Sequence, residues 1–354
     1  MTLPRRPLRA LVLAAVVACA LALAGCSGTS GTETSPDGGR GGGGGGDART
    51  TGWSYQDATG TTIRLDHRPE RVVALDDLAI SMVRSGLHPV GTFGRLPLAE
   101  DDRWDGLDTD GIADVGSAST TDGAGDGSDG IDVDRVAALR PDLIVTTIAP
   151  VDASGTLPTD HVGTGIADAP QQRELAKIAP VAEVRWGGDG ADVVRDVTDL
   201  TLSLGAEQSV VDAAETEFDD AASALEAATR DHDVRLTALY ADHDGVYVAR
   251  PEDVPALQLW ASHGADLTVP GPKGYAWGVY SWPNAGKVRG DVLLLSDQGY
   301  QADDLVRQPT FADQPALVAG QVHPWTSPVL DHASQAAAMR QLTTWITESE
   351  RLDR

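Results

Sequence analysis

The sequence predicts an α/β protein of two similar halves bridged by a long helical segment. Three observations carry that prediction. Short β-rich runs alternate with helical stretches through the folded part, the pattern of layered α/β domains. A run apolar on both faces opens a strand in each half, Asp142-Leu-Ile-Val145 and Asp291-Val-Leu-Leu-Leu295, as a strand covered on both sides should be. Between the halves, Asp192 to about Thr229 has almost no turn chemistry apart from Gly205.

Taken in order, residues 1–25 read as a leader. Arg5, Arg6 and Arg9 precede an apolar stretch, Ala10 to Ala24, that is too short for a comfortable membrane span. It ends in Leu23-Ala24-Gly25-Cys26, which is similar to the lipobox of bacterial lipoproteins, so lipidation is expected at Cys26 and the chain is expected on the outer face of the cell membrane. Cys19 lies within the leader, so the processed chain keeps Cys26 alone and must be stabilised by its core rather than by disulfides. Residues 26–55 are expected to form a tether: Ser27 to Thr51 is mostly Gly, Ser, Thr and Asp, with consecutive glycines from Gly41 to Gly46, and cannot bury enough apolar surface to fold. A second Gly/Asp-rich tract, Thr120–Gly130, is expected to be a loop; its aspartates miss the spacing of a calcium loop.

The first half, residues 56–188, contains candidate strands Arg71–Leu75, Pro89–Phe93, Asp142–Thr147 and Val181–Arg185. The bridge, residues 189–230, shows Val193, Val197, Leu200 and Leu204 on one helical face, then Val211, Phe218 and Leu225 at seven-residue spacing. Wholly helical, such a segment would run about 57 Å, too long to pack inside one small lobe. The second half, residues 231–354, supplies Val234–Tyr240, Gly245–Ala249, Asp291–Ser296 and Gly320–His323. The formal charge of −26 argues against nucleic acid and anionic lipid as partners, and its scattered acids serve solubility.

Six pieces of the chain, in order, resemble one family, the substrate-binding proteins for iron–siderophores and vitamin B12. They are Arg68-Pro-Glu-Arg-Val-Val-Ala-Leu75, Gly86-Leu-His-Pro-Val-Gly91, Asp134-Arg-Val-Ala-Ala-Leu-Arg-Pro-Asp-Leu-Ile-Val145, Leu175-Ala-Lys-Ile-Ala-Pro180, Leu204-Gly205 and Pro315-Ala-Leu-Val-Ala-Gly-Gln-Val-His-Pro-Trp325. The likeness runs from about Gly60 to Leu352, with the binding domain at about 70–350. Ser281-Trp-Pro-Asn-Ala-Gly-Lys287 and Gln321-Val-His-Pro-Trp325 look most like the hydroxamate branch. The resemblance implies two Rossmann-like lobes joined by a long rigid interdomain helix, a ferric siderophore as ligand, an ABC permease as partner and no enzyme activity. It also implies an acidic docking residue on each lobe; Ile80 and Pro283 stand at those places, leaving Asp76 and Asp77 as docking candidates and coupling to a permease as an open question.

Open α/β sheets bind ligands beyond the carboxyl ends of their strands. A bulky ferric hydroxamate wants flat aromatic walls with a few cationic or hydroxyl donors, and Arg95, Arg250, Tyr275, Trp277, Trp282 and Trp325 supply these near strand ends or in the aromatic loop Tyr275–Trp282. Trp260 and Trp345 sit in amphipathic stretches and read as core. Iron would arrive inside the ligand, so no resident cofactor is expected, and the chain reads as a monomer. The rival chemistry within the same fold is direct zinc, haem or cobalamin binding. His161, His243, His263 and His323 would have to converge for a metal site, and no two have close ligand spacing. An enzyme reading lacks a Gly-x-Ser-x-Gly elbow, a His-Glu-x-x-His pair and a phosphate-binding Gly-Lys loop.

Overall fold

A computed structural model of the chain describes residues 52–117 and 130–352. Cys26, the leader, the tether up to Thr51 and all but the last residue of the Thr120–Gly130 tract lie outside the described residues.

The described chain opens with an antiparallel hairpin that the sequence reading missed, β1 (Trp53–Gln56) and β2 (Thr62–Leu65). Asp57 closes its turn by accepting from the backbone N–H groups of Thr59 and Thr61, both at 2.9 Å. The first lobe follows as a five-stranded sheet whose strands all run parallel, in the order β5-β4-β3-β6-β7. These are β3 (Val72–Leu75), β4 (Gly91–Phe93), β5 (Ala113–Asp114), β6 (Leu143–Ile148) and β7 (Val181–Arg185). Helices α1 (Asp76–Arg84), α2 (Val133–Leu139) and α3 (Ala169–Ile178) connect them. All six residues of β6 are buried, as its unbroken apolar start requires.

The predicted bridge is helical but comes as two pieces, α4 (Gly190–Ser203) and α5 (Gln208–Asp231). Gly205 is the reason. It stands at φ +104°, and a side chain there would run into the guanidinium of Arg68. The pieces divide the work of joining. One face of α4, Val193, Val194, Val197 and Leu200, packs with Leu78, Ile80 and Met82 of α1. The same core takes in Ala256 and Leu259 from α6 (Pro255–Ser262) of the second lobe. Each such side chain contributes about 1.5–3 kcal/mol by leaving water. Helix α5 instead lies along α10 (His332–Glu348), where Ala221, Leu225 and Ala228 meet Ala336, Met339 and Ile346. Hydrogen bonds cross the lobe junction: the Gly190 N–H donates to Gln258 Oε1 at 2.7 Å, and Ser81 Oγ to Asp331 Oδ2 at 3.0 Å.

The second lobe has a sheet ordered β11-β9-β8-β12-β13, with β10 beside the start of β8. Its strands are β8 (Arg235–Ala241), β9 (Gly245–Ala249), β10 (Asp266–Leu267), β11 (Trp277–Ser281), β12 (Val292–Gly299) and β13 (Val322–Trp325). Strands β8, β12 and β13 run parallel, and β9 is antiparallel to both β8 and β11. Short helices α7 (Trp282–Ala285), α8 (Ala302–Leu305) and α9 (Pro315–Val318) complete it. The aromatic stretch expected to be a loop therefore contains an edge strand.

The two apolar runs that suggested paired halves do the same job. Asp142 accepts the backbone N–H of Arg71 at 3.0 Å, and Asp291 accepts that of Arg235 at 2.7 Å, so each carboxylate pins the start of the neighbouring strand. Among the described residues no helix is long and apolar enough to cross a membrane.

Candidate ligand-binding site

At the carboxyl end of the first sheet, Asp76 and Asp77 begin α1 directly after β3. Sequence reading offered them to a membrane partner; the structure turns both inward. Arg103 Nη2 donates to Asp76 Oδ2 at 2.6 Å, Nη1 to Asp77 Oδ1 at 2.7 Å, and Nη2 to Asp101 Oδ2 at 2.6 Å. Three carboxylates thus share one guanidinium. Burial pushes the Asp77 carboxyl up to about 7, helped by the neighbouring Asp76 charge and opposed by Arg103. Asp76 is likewise raised, chiefly by burial. Arg103 is raised as well, its carboxylate partners outweighing desolvation, so it keeps its charge. Gly94, after β4, lies so close over the Asp76 carboxylate that a side chain would not fit. Arg95 is exposed beside it.

Ile80, the place where a docking acid was sought, is 1% exposed in the core of α1, so an acid there would be buried and unpaired. Pro283 is exposed in the first turn of α7, a position that suits proline because it needs no backbone donor.

The second lobe supplies an aromatic face. Along β8, Leu236 and Ala238 point into the core beneath α5 and α10, so Tyr240, two residues on, extends the same face. Tyr247 pairs with it across β9, their rings 5.4 Å apart. Trp325, ending β13, and Trp277, starting β11, lie on that face too, with ring centroids 6.5 Å apart and nearly edge to face. Sequence reading did not single out Tyr240 or Tyr247 as candidate ligand contacts; the period-two alternation along β8 and β9 carries the signal. Burial, then the Asp242 carboxylate, push both phenols above their ordinary value, so both remain protonated donors. The indole Nε1 of Trp325 is buried and finds no hydrogen-bond partner among the described residues.

A braced loop carries Tyr275. Arg250 Nε donates to the Gly274 carbonyl at 3.1 Å, and Asp253 Oδ2 accepts the Ala276 N–H at 3.1 Å. Ala276 sits at φ +59°, a left-handed conformation that costs a non-glycine residue about 1 kcal/mol or more and persists where the surroundings over-determine it. The Arg250 guanidinium, matched to Glu252 and Asp253, is therefore a brace for the loop rather than a free ligand contact. Tyr275 is half-buried, and its phenol is raised by burial, then by the carboxylates of Asp253 and Asp152. Trp282 differs from the other predicted aromatics. Its Nε1–H donates to the Asp242 carbonyl at 3.1 Å and its ring stacks on Tyr300 at 6.0 Å, fixing the corner where β11 enters α7.

The histidines do not converge. His263 bonds to Glu226 at 3.0 Å, His323 stacks on Trp345 at 4.6 Å, and His243 lies in the turn after β8 with Asp242 and Asp244. That turn is the one group of three metal-ligating residues found among the described residues, and His243 and Asp244 in it are exposed. A cavity of about 200 Å³, lined by residues including Tyr55, Asp57, Arg185 and Asp196, takes no residue from the second lobe.

A family model described as periplasmic binding protein matches residues 96–329. No curated protein sequence matches the chain. Among solved structures, the ferric-siderophore receptor DesE from Streptomyces coelicolor is 24% identical, with a TM-score of 0.71 over 85% of this chain and 100% of that one. The petrobactin-binding protein YclQ from Bacillus subtilis is 17% identical, TM-score 0.60, over 84% and 98%. The siderophore periplasmic binding protein of the fuscachelin gene cluster of Thermobifida fusca is 19% identical, TM-score 0.57, over 79% and 97%. At these identities the likeness shows the shared fold.

Proposed function

The chain belongs to the periplasmic binding protein family, a family of substrate-binding proteins rather than enzymes, and from that premise we propose that it captures a ferric hydroxamate siderophore for an ABC importer. The observation that carries this reading is the aromatic face of the second sheet: the Tyr240–Tyr247 pair at the carboxyl end of β8, on the same face as half-buried Trp277 and the more deeply buried Trp325, edge to face at 6.5 Å. A ferric hydroxamate is a compact, largely apolar chelate with oxygens on its surface. Indole rings supply the wall and protonated phenols the donors it needs. A bare cation would need converging histidines or carboxylates, and the histidines are dispersed. That solved relatives of the same fold are described as siderophore-binding supports the class of ligand.

Capture in this reading uses a largely preformed cleft. The core shared across α1, α4 and α6, and the Gly190–Gln258 and Ser81–Asp331 hydrogen bonds, resist large rotation of one lobe on the other. The leader and Cys26 support delivery to the outer face of the membrane, with lipid on Cys26 and the Gly-rich segment as tether. Cys26→Ala should leave the protein unprocessed or released into the medium; lipid labelling that survives the change would remove the anchor.

The ligand is tested on the purified chain lacking its leader. A ferric hydroxamate should quench tryptophan fluorescence, because the ferric chromophore would lie beside Trp277 and Trp325. Free Fe³⁺ and Zn²⁺ should do nothing. If hydroxamates, catecholates and cobalamin all fail to quench while zinc or haem raises Tm, the siderophore reading is wrong.

A further inference from the structure

Two consecutive side chains pin the start of α10, in the second lobe, to helices of the first-lobe core. Asp331 caps α10 by accepting the Ser334 N–H at 2.7 Å, and its Oδ2 takes the Ser81 hydroxyl of α1 at 3.0 Å. His332 follows and places Nδ1 3.2 Å from Thr198 Oγ1 of α4. That hydroxyl also lies 2.8 Å from the Val194 carbonyl and has a single proton to give. With the proton directed at Val194, the oxygen accepts from His332. The neutral ring then carries its hydrogen on Nδ1 and none on Nε2.

The surroundings of this half-buried ring suit an imidazole and not an imidazolium. Among the described residues the histidines paired with carboxylates are His67, His243 and His263, and His332 has no such partner. Phe218 of α5 meets His332 edge to face at 5.4 Å and His263 at 5.9 Å, but only His263 has a counter-ion in contact, Glu226 at 3.0 Å. His332 instead shares a cavity of about 20 Å³, room for about one water, with Arg84 of α1. Arg84 makes no ion pair among the described residues, and its Nε is buried without a hydrogen-bond partner. The cavity walls from α4 and α5 are hydroxyl and apolar groups, and the Asp331 carboxylate is taken up by Ser81 and Ser334. As the first residue of α10, His332 also stands at the positive end of a 17-residue helix. Burial holds the ring below the ordinary histidine value, opposed by Glu215 and Asp219 of α5 and by Asp331.

We infer that the start of α10 is an acid-sensitive clasp between the lobes: neutral His332 holds α10 against α4 and α1, and its protonation loosens that joint. Charging the ring sets an imidazolium beside an unpaired guanidinium, at a helix N-terminus, in a space for about one water. Relief comes when the end of α10 swings outward and water reaches the ring, a local opening that also parts Asp331 from Ser81. The lobes would then turn more freely on each other in acid. The clasp works in this way whatever the cleft holds.

Because the folded state favours the neutral ring, the stability His332 contributes is present in full above about 6.5 and is lost as pH falls below it. Asp77 acts in the opposite direction over part of the same range, so the test compares variants at each pH. His332→Asn keeps a donor for Thr198 and cannot take a charge. Between pH 7.5 and pH 5, wild-type Tm should fall relative to this variant by about 2 °C for each unit by which the ring is lowered. Hydrogen exchange, corrected for the intrinsic effect of pH, should show α4 and the first turns of α10 losing protection at pH 5 in wild type while β6 keeps its own. In His332→Asn all three should stay protected. The wild-type ring, identified by NMR through its contacts to Phe218, should titrate below 6.5, and Arg84→Gln should move that midpoint back toward 6.5. A ring that titrates at or above 6.5, a midpoint that Arg84→Gln leaves unchanged, or acid exchange that is the same in wild type and His332→Asn would each overturn the clasp. Should His332→Asn fail to fold, the two midpoints decide alone.

Discussion

Arg250 Nη2 donates to the carbonyl of Pro272 at 2.5 Å, tying the end of β9 to the loop that carries Tyr275. A planar fork can reach this carbonyl, that of Gly274 and the Glu252 carboxylate at once. A lysine cannot. Arg250→Lys should therefore keep the charge and the fold yet loosen the loop, weakening hydroxamate binding by about 5–10-fold, the worth of one lost hydrogen bond. Equal affinity with a lowered Tm would mean that the brace serves stability alone.

The aromatic residues should separate into two classes on mutation. Trp277→Ala removes the half-buried member of an edge-to-face pair whose other ring, Trp325, lies in the core, and should reduce affinity by more than it reduces stability. Trp282→Ala removes a stacked ring and the hydrogen bond to Asp242 and should cost about 2 kcal/mol of stability. Denaturant melts beside binding curves for both variants distinguish the two roles, and an unchanged melt for Trp282→Ala would contradict its assignment as a corner.

Asp77 makes stability depend on pH with an unusual sign. Its folded pKa is raised from 3.8 to about 7, so the folded state holds the proton more tightly than the unfolded state. That contribution is present in full below about 3.8 and is lost as pH rises through the window up to about 7. Asp77→Asn keeps an acceptor for Arg103 but cannot ionise. Relative to wild type, its Tm should climb by several degrees between pH 5 and pH 8, since each pH unit between the unfolded and folded pKa is worth about 1.4 kcal/mol. A difference that stays flat with pH would show that Asp77 does not titrate in this window.

Gly205→Ala tests the break between α4 and α5. Its φ of +104° is unfavourable for any side chain, and Arg68 occupies the space. A loss of about 1–3 kcal/mol is expected, measured by chemical unfolding. A neutral outcome would mean that the joint relaxes into a continuous helix.

Much of the fold was legible because its strands are buried runs. Each of the eight candidate strands has its counterpart, and β7 and β9 match to the residue, since buried apolar runs bounded by Pro, Gly and Asp leave little choice. What failed was local. Strand β11 hid because Gly271, Pro272 and Gly274 precede it with turn chemistry and Gly278 lies within it, and an edge strand needs only one partner to form. The site was less legible than the fold. Arg103 meets Asp76 and Asp77 only after the chain has wound through β4, so no local motif announces the cluster. Arg250 was legible as a cation at a strand end, but not that its own loop would claim it. Tyr240 and Tyr247 were visible as alternating positions, yet which half of the face stays uncovered is decided by where the helices stop.

The core that runs from α1 through α4 into α6 also governs how the molecule comes apart. Neither half closes its own apolar surface, because α4 presents one stripe to both. Heating should accordingly give a single calorimetric transition rather than two, and fragments cut at residues 204–207 should not fold separately. Exchange of one half with a relative would succeed only where the incoming partner brings a surface shaped to Val193, Val197 and Leu259, so the two halves are bound to change together.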